Sequence, residues 1–193
     1  ILDAARKVFV ELGPVNARMK DIADEAGITQ SLLHYYFRKR DELYRAVFQA
    51  ELQRIMPEQV YELTSDAPLP DKLEAFARGI IDVHAANPHL AAFVVFETHY
   101  NDEHFDEINE ALAGLDLDVL QQQIDERVAA GTMAPTSAEQ LLTNVLALCL
   151  FPFLARPILQ SAYDMDDAAY RAFIEERKDA VPQFVRRALN GSE

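Results

Sequence analysis

The chain has 193 residues, of which half are apolar, and its net charge is −14. This length allows one large or two small domains with a sizeable core, and the single cysteine excludes an intrachain disulfide framework. Few glycines and frequent Ala, Leu, Glu and Gln favour helices, and no strand-like alternation is found, so we predict an all-α fold. No signal peptide is recognisable, and we expect a cytoplasmic protein.

Charge is distributed unevenly along the chain. Residues 1–50 hold eight basic and seven acidic side chains, a net charge of +1, whereas residues 51–193 hold ten and twenty-five, a net charge of −15. The basic residues cluster at 18–20 and 38–40. Because phosphate contact needs local positive charge rather than a basic protein, DNA is a candidate partner of the N-terminal quarter.

The first predicted helix has apolar residues at helical spacing and ends at Gly13. Its apolar positions are Ile1, Ala5, Val8, Phe9 and Leu12. The pattern is already under way at Ile1, and there is no initiator Met, so we expect further residues upstream.

Residues 19–43 predict two short helices joined by a tight turn. Ile22, Ala23 and Ala26 share one face of the first helix. Gly27 permits a left-handed turn, and the Thr29 hydroxyl can cap the next helix. This is the start of a helix-turn-helix, in which one helix braces against the DNA backbone and the next lies in the major groove.

The second short helix is predicted to have two different faces. An inward apolar stripe is expected from Leu32, Leu33 and Phe37. The outward face carries Gln30, Ser31, His34 and Tyr35.

These residues resemble the DNA-binding domain of the TetR family of bacterial transcriptional regulators. The family pattern is matched by Gly13, Ala17, Ile22, Ala23, Ala26, Gly27, Ile28, Thr29, Leu33, Tyr36, Phe37 and Leu43. The chain departs from the pattern at Pro14, Arg18, His34 and Arg40. Arg18 replaces the usual capping Ser or Thr, and Asn16 could take that role two residues earlier. Arg40 keeps the charge of the usual Lys.

The resemblance implies a three-helix helix-turn-helix domain over residues 1–46 and a helical ligand-binding and dimerisation domain over residues 47–193. We expect base-edge contacts from Gln30, Ser31 and His34. Phosphate contact or groove flanking is expected from Arg18, Lys20, Thr29, Tyr35, Tyr36, Lys39 and Arg40. As alternatives, Tyr36 and Phe37 could lock the reading helix to the core, and the basic triplet 38–40 could be a solvated helix start.

The rest of the sequence predicts further helices. The first runs from Asp41 to Met56 and stops at Pro57, and a loop follows over residues 58–69. Helices are then expected over 69–86, from Pro88 to about 100, over 106–130 with a bend at Gly114, from the cap Ser137 to about 162, and from Asp166 or Asp167 to about 189. A turn is expected over 101–105.

Residues 141–159 are apolar on nearly all sides, so a helix there must be buried all round. A membrane span is the alternative, but Asn144, Arg156 and two prolines interrupt the run, and we expect no membrane partner. The resemblance implies that the last two long helices of each subunit form a four-helix dimer interface. The expected interface residues are Leu142, Val145, Tyr170, Phe173, Ile174, Val181, Phe184 and Val185.

The resemblance also implies a small-molecule ligand that alters the spacing of the two DNA-reading domains, and we expect this ligand to be hydrophobic. Candidate pocket residues are Phe76, Phe93, Phe96, Tyr100, Phe151 and Phe153. For each of them, plain core packing is the alternative.

A dense polar cluster could in principle hold Zn²⁺ or Ni²⁺. It comprises Glu97, His99, Asp102, Glu103, His104 and Asp106. The two histidines are five residues apart rather than three or four, so we favour a solvated acidic turn and predict neither a metal nor a cofactor.

The predicted function is a DNA-binding transcriptional regulator, specifically a repressor that binds a palindromic operator as a homodimer and is released by a ligand. The alternative is a helical enzyme or a protein-interaction module without sequence-specific DNA binding. No phosphate-binding loop, nucleophile elbow, dinucleotide fingerprint or HExxH motif is found, so we predict that the chain is not an enzyme.

Overall fold

A computed structural model describes residues 1–92, 94–95 and 105–189, except for the side chains of residues 10, 14, 15 and 105–107. The regular elements in these ranges are helices, as the all-α prediction requires. In chain order they are α1 (Leu2–Asn16), α2 (Met19–Glu25), α3 (Gln30–Tyr36), α4 (Arg40–Thr64), α5 (Leu69–Ala86), α6 (Phe105–Ala111), α7 (Leu117–Ala129), α8 (Ala138–Leu154), α9 (Arg156–Ala162) and α10 (Asp167–Leu189). Residues 90–92 and 94–95 are also helical.

The chain forms two compact units. Unit 1 comprises Ile1–Met56 and Asn87–Ala111, and unit 2 comprises Pro57–Ala86 and Leu112–Glu193. Helix α4 contributes residues to both units.

The core of unit 1 joins the first four helices. Ala5, Ile22, Leu33, Leu43 and Phe48 are fully buried there. The ring of Phe9 on α1 also packs edge-on against Tyr44 on α4, with 4.9 Å between ring centroids. This core fixes α2 and α3 as a helix-turn-helix.

Two glycines give the turns that the sequence predicts. Gly13 interrupts α1 with a φ of +74°, and Gly27 joins α2 to α3 with a φ of +65°. A residue with a Cβ would be strained in this left-handed region.

The predicted capping of α2 by Asn16 is wrong. The Asn16 side-chain amide donates instead to the Leu12 carbonyl, at 3.1 Å. The Asp21 carboxylate accepts from the backbone N–H of Arg18 at 3.1 Å, so α2 keeps the acidic half of a capping box without a capping hydroxyl.

The predicted end of α4 at Pro57 is also wrong, because α4 continues to Thr64, and the loop predicted over 58–69 is confined to residues 65–68. An internal proline removes one helical hydrogen bond at a cost of about 3 kcal/mol. Packing within unit 2 offsets that cost: a Cβ on Gly79 would lie 2.9 Å from the Gln59 amide, and one on Gly114 would lie 3.3 Å from Val60. Because these two glycines have no side chain, the last turns of α4 can pack closely against them.

Unit 2 is built around α5, which runs over Leu69–Ala86 as predicted and packs against α8 and α10. Its exposed edge is joined to α10 by three sets of ion pairs. They are Arg186 with Asp71 and Glu74, Arg78 with Asp179, and Lys178 with Asp82. This order along the two helices requires them to run antiparallel.

Two of the long predicted helices are broken. The expected bend at Gly114 is a full break, and α7 starts afresh from the cap Asp116, whose carboxylate accepts from the Asp118 N–H at 3.0 Å. The helix capped by Ser137 ends at Leu154, and α9 follows after a 73° bend. Pro157 lies in the first turn of α9, where its missing N–H costs nothing, whereas a continuous helix would need that donor.

No single helix in the described ranges is long and apolar enough to cross a membrane. Helices α8 and α9 meet the criteria of length and composition only when they are taken together as a bent pair.

The last helix begins after the cap Asp166, as predicted. The predicted turn at 101–104 lies outside the described residues, and Phe105 already belongs to α6.

Candidate nucleic-acid interface

Helix α3 is fixed at its start by a side-chain cap and on its inner face by one leucine. The Thr29 hydroxyl accepts from the Leu32 N–H at 3.2 Å, as predicted. Leu33 is fully buried, and Phe37 is half-buried at the end of the helix. Leu32 is not part of the inward stripe, because it is 42% exposed. Adjacent residues on a helix differ by about 100° in direction, so Leu32 and Leu33 cannot share one narrow contact.

The outer face of α3 presents the polar and aromatic side chains that the sequence places there. Gln30, Ser31 and His34 are exposed, and the side-chain Nε2 atoms of Gln30 and His34 are 3.5 Å apart, one turn from each other. Tyr35 and Tyr36 are exposed as well, and their rings meet edge-on at 5.4 Å. An exposed Tyr36 does not lock α3 to the core, which leaves that role to Phe37.

Cations lie at the start of α2 and at the junction of α3 and α4. Arg18, Lys20 and Lys39 are exposed, whereas Arg40 is half-buried, and its Nε atom has no hydrogen-bond partner among the described residues. Arg38 is exposed as well. It belongs to the basic triplet 38–40, for which phosphate contact was favoured, although it was not named as an individual contact.

The backbone between α3 and α4 is held by one carboxylate. Glu42 Oε2 accepts from the N–H groups of Arg38 and Lys39, at 3.0 and 3.4 Å. The side chains of these two cations are thereby presented from a fixed turn, close in sequence to the exposed tyrosines of α3.

A second feature is an apolar groove in unit 2, with a volume of about 860 Å³, between α8, α9 and α10. Four of the predicted dimer-interface residues line it: Val145, Phe173, Phe184 and Val185. Leu142, Tyr170, Ile174 and Val181 do not line it and, like Val145 and Val185, are buried within the chain.

One cation lies in this apolar groove. Arg177 is half-buried, donates through Nη2 to the Leu148 carbonyl at 2.5 Å, and stands over the Phe173 ring at 5.5 Å. Burial lowers the pKa of its guanidinium. Among the described residues that line it, the groove therefore combines a large apolar surface with one tethered charge.

The predicted ligand-pocket aromatics are not all in one place. Phe76 and Phe153 are buried, and the Phe153 ring lies 5.5 Å from that of His84. Phe151 is 57% exposed and lines the groove. Phe93, Phe96, Tyr100 and residues 97–104 of the His/carboxylate cluster lie outside the described residues, as does the side chain of Asp106.

Two sequence families match the chain. Bacterial regulatory proteins of the tetR family match residues 1–47, and the tetracyclin repressor-like C-terminal domain matches residues 70–185, which is more than half of the chain. The chain belongs to the tetR family. The family predicted from the helix-turn-helix residues is thus confirmed.

Individual relatives of this TetR-family chain are distant. The HTH-type transcriptional repressor SCO4008 of Streptomyces coelicolor is 29% identical over 98 residues, which are 50% of this chain and 47% of the relative. The fatty acid metabolism regulator protein of Bacillus subtilis is 24% identical over 132 residues, 68% of each chain. Against the first relatives matched, the chain spans about half of their length.

Solved structures share the fold over nearly the whole chain. FadR from Bacillus subtilis in complex with stearoyl-CoA superposes with a TM-score of 0.64 at 18% identity, covering 97% of both chains. The transcriptional regulator SCO4942 from Streptomyces coelicolor superposes with a TM-score of 0.67 at 21% identity, covering 97% of this chain and 95% of the other.

Substitutions at Lys39 and Gln30 should separate phosphate contact from base reading. Lys39→Ala removes an exposed cation, so binding to all DNA sequences should weaken alike, and the slope of log K against log salt should fall by about 0.9 for each lost contact, or about 1.8 for a dimer on its palindrome. Gln30→Ala should leave that slope unchanged and relax discrimination at one base pair of each half-site, by about 1–3 kcal/mol. Binding titrations at several salt concentrations and selection from a random-site library measure the two effects.

Lys178→Ala is the matched control for Lys39→Ala. This cation lies in unit 2, paired with Asp82 and Glu175 at 2.8 Å. It should change neither affinity nor slope. If Lys39→Ala behaves like Lys178→Ala, Lys39 does not contact phosphate.

Proposed function

We propose that this TetR-family chain is a DNA-binding transcriptional repressor that acts in the cytoplasm. Residues 1–46 read a palindromic operator, and residues 47–193 dimerise and bind the ligand that releases the DNA. The observation that carries this proposal is the outer face of α3, where Gln30, Ser31 and His34 stand exposed on a helix that Thr29 and Leu33 hold in place. Donor and acceptor side chains on an exposed helix match the edges of bases in the major groove.

The cations support the same function. Arg18 and Lys20 are exposed at the start of α2, and Lys39 is exposed in the segment that follows α3. Phosphate contacts fix the register of a reading helix, while base contacts supply its specificity. The strongly acidic remainder of the chain would be repelled by DNA, which leaves the basic N-terminal quarter as the surface that approaches it.

A second copy of the chain is the proposed occupant of the apolar groove in unit 2. Phe151, Phe184 and Tyr163 line it and are more than half exposed, and Leu154 and Ile158 extend the exposed apolar surface along α8 and α9. Apolar patches of this extent on a soluble chain mark an interface. A two-fold pairing of these helices would give the protein the symmetry of a palindromic operator.

The proposed ligand is a long-chain acyl thioester. A relative is a fatty acid metabolism regulator, and a structure that shares the fold holds stearoyl-CoA. Phe76 and Phe153, buried in unit 2, are proposed contacts for the acyl chain. Phe151 faces the groove and is assigned to the dimer instead.

Footprinting on the DNA that flanks the chain's own coding region tests the function. We expect protection of a palindrome, and we expect stearoyl-CoA, but not coenzyme A alone, to reduce that protection. By linkage, the operator should reduce the affinity for stearoyl-CoA by the same factor. Protection without any response to stearoyl-CoA would refute the ligand class alone, whereas no protected palindrome would refute the repressor.

A further inference from the structure

Asn87 joins two distant parts of the sequence inside unit 1. It follows α5 directly and is only 5% exposed. Its side-chain Oδ1 accepts a hydrogen bond of 3.0 Å from Arg6 Nη1 on α1, 81 positions earlier. The chain therefore re-enters unit 1 after α5 at a point held by the first helix of the DNA-reading domain.

Glu51 completes the arrangement from α4. This carboxylate is 8% exposed; its Oε1 lies 3.6 Å from Arg6 Nε, and its Oε2 lies 2.7 Å from Arg54 Nη2. A buried carboxylate needs compensating positive charge, and Arg6 supplies part of it while also donating to Asn87. We name these three residues the Arg6–Glu51–Asn87 cluster.

The cluster lies beside a small gap in unit 1. The gap beside it has a volume of about 20 Å³ and is lined by Phe9, Val47, His89 and Leu90 as well as the cluster. Such a gap holds about one water molecule and no larger group, so the side chains around it are closely packed.

The position of α1 affects DNA binding because α1 contacts α2, the first helix of the helix-turn-helix. Lys7, the neighbour of Arg6, pairs with Glu25 at the end of α2 at 2.7 Å, and α2 leads through Gly27 into α3. A displacement of Arg6 is therefore passed to the helix-turn-helix through direct contacts.

We propose that the Arg6–Glu51–Asn87 cluster positions the reading helix and couples it to the chain that follows α5. In this role Arg6 is a positioning residue and not a phosphate contact, although it is a half-exposed cation in the basic part of the chain. Any movement that withdraws Asn87 would loosen α1 and lower the affinity for the operator. The inference rests on the DNA binding proposed above and names where in unit 1 that binding is regulated.

A double-mutant cycle on the full-length chain tests the coupling. Arg6→Ala and Asn87→Ala should each weaken binding to the protected palindrome about tenfold, and the double variant should be no weaker than the weaker single variant. The slope of log K against log salt should stay unchanged in all three, because no phosphate contact is lost. Asn87→Asp keeps an acceptor for Arg6 and should bind within about threefold of the wild type.

His89→Ala is the matched control, since His89 lines the same gap but is exposed. It should bind as the wild type does. Thermal unfolding of each variant shows whether it folds; if Asn87→Ala does not fold, weak binding by Asn87→Asp would overturn the proposal, and wild-type binding would support it. Additive losses in the cycle, or a smaller salt slope for Arg6→Ala, would also overturn it. A wild-type chain that protects no palindrome would instead refute the proposed function.

Discussion

Phe184→Asp is expected to turn the dimer into a monomer and to abolish tight binding to the palindrome. Phe184 lies on α10, is 60% exposed and lines the apolar groove of unit 2. An aromatic anchor at the centre of an interface contributes about 2–4 kcal/mol, which is roughly a 30- to 1,000-fold change in the dimer dissociation constant. A carboxylate there would also have to be desolvated against an apolar surface.

Light scattering across the micromolar range measures the assembly, and titration of the palindrome and of a single half-site measures the consequence. The variant should bind a single half-site as weakly as one reading helix does. It should lose the additional affinity for the palindrome that two linked reading helices provide. Tyr61→Asp is the matched control, because Tyr61 is 69% exposed on α4 and does not line the groove. A wild-type chain that is monomeric at these concentrations would contradict the dimer outright.

The features predicted well from the sequence are those that depend on neighbours in the chain. Thr29, Ser137 and Asp166 cap their helices as expected, because a cap needs only the next three residues. Gly27 turns as expected because its backbone requirement is local. The outer face of α3 followed from helical periodicity alone.

The helix end predicted at Pro57 failed because it depended on distant residues, whereas the Asn16 cap and the inward placement of Leu32 failed on local detail. Pro57 does not end α4 because unit 2 packs around the turns beyond it, and nothing near Pro57 in the sequence shows that packing. Leu142 and Tyr170 were assigned to a dimer interface by their spacing, and this assignment stays a prediction, because spacing cannot distinguish burial within one chain from burial between two chains. Both side chains are already buried within one chain.

The Arg6–Glu51–Asn87 cluster shows the same limit at a candidate functional position. In the sequence, Arg6 is indistinguishable from the other cations of the basic N-terminal segment. Asn87 is recognisable only as the first residue of an Asn-Pro pair that ends a helix. Their contact spans 81 positions, so only the fold brings them together. The residues that face solvent around α3 required no such contact and could be found directly.

Substitution of Lys72 is expected to lower the stability of the fold substantially. Its side chain is fully buried on α5, and its ammonium donates to the carbonyls of Leu63 and Ser65 at 3.3 and 2.7 Å, at the end of α4. The last carbonyls of a helix have no partner within the helix, so this lysine satisfies groups that would otherwise be buried unpaired. Lys72→Ala removes both bonds and leaves a cavity, which should lower the free energy of unfolding by about 3–5 kcal/mol.

Lys72→Met separates packing from hydrogen bonding. Methionine restores most of the volume but no donor, so it should recover part of the loss and remain below the wild type. Lys178→Ala is the control: its ammonium pairs with Asp82 and Glu175 near the surface, and such pairs contribute about 0–1 kcal/mol. Urea unfolding at neutral pH measures all three, and a Lys72→Ala loss no larger than that of Lys178→Ala would show that the buried ammonium does not hold α4.

The same lysine should give the stability a recognisable pH dependence. Burial lowers the pKa of Lys72 below its usual value of 10.5 in the folded chain. Between the lowered pKa and the unfolded value, the unfolded chain binds more protons than the folded one, so the free energy of unfolding contributed by this group rises with pH. Lys72→Met lacks this rise, and its stability should therefore fall further behind that of the wild type as the pH approaches about 10. A stability gap between the two proteins that is constant across this window would mean that Lys72 titrates in the folded chain as it does in water.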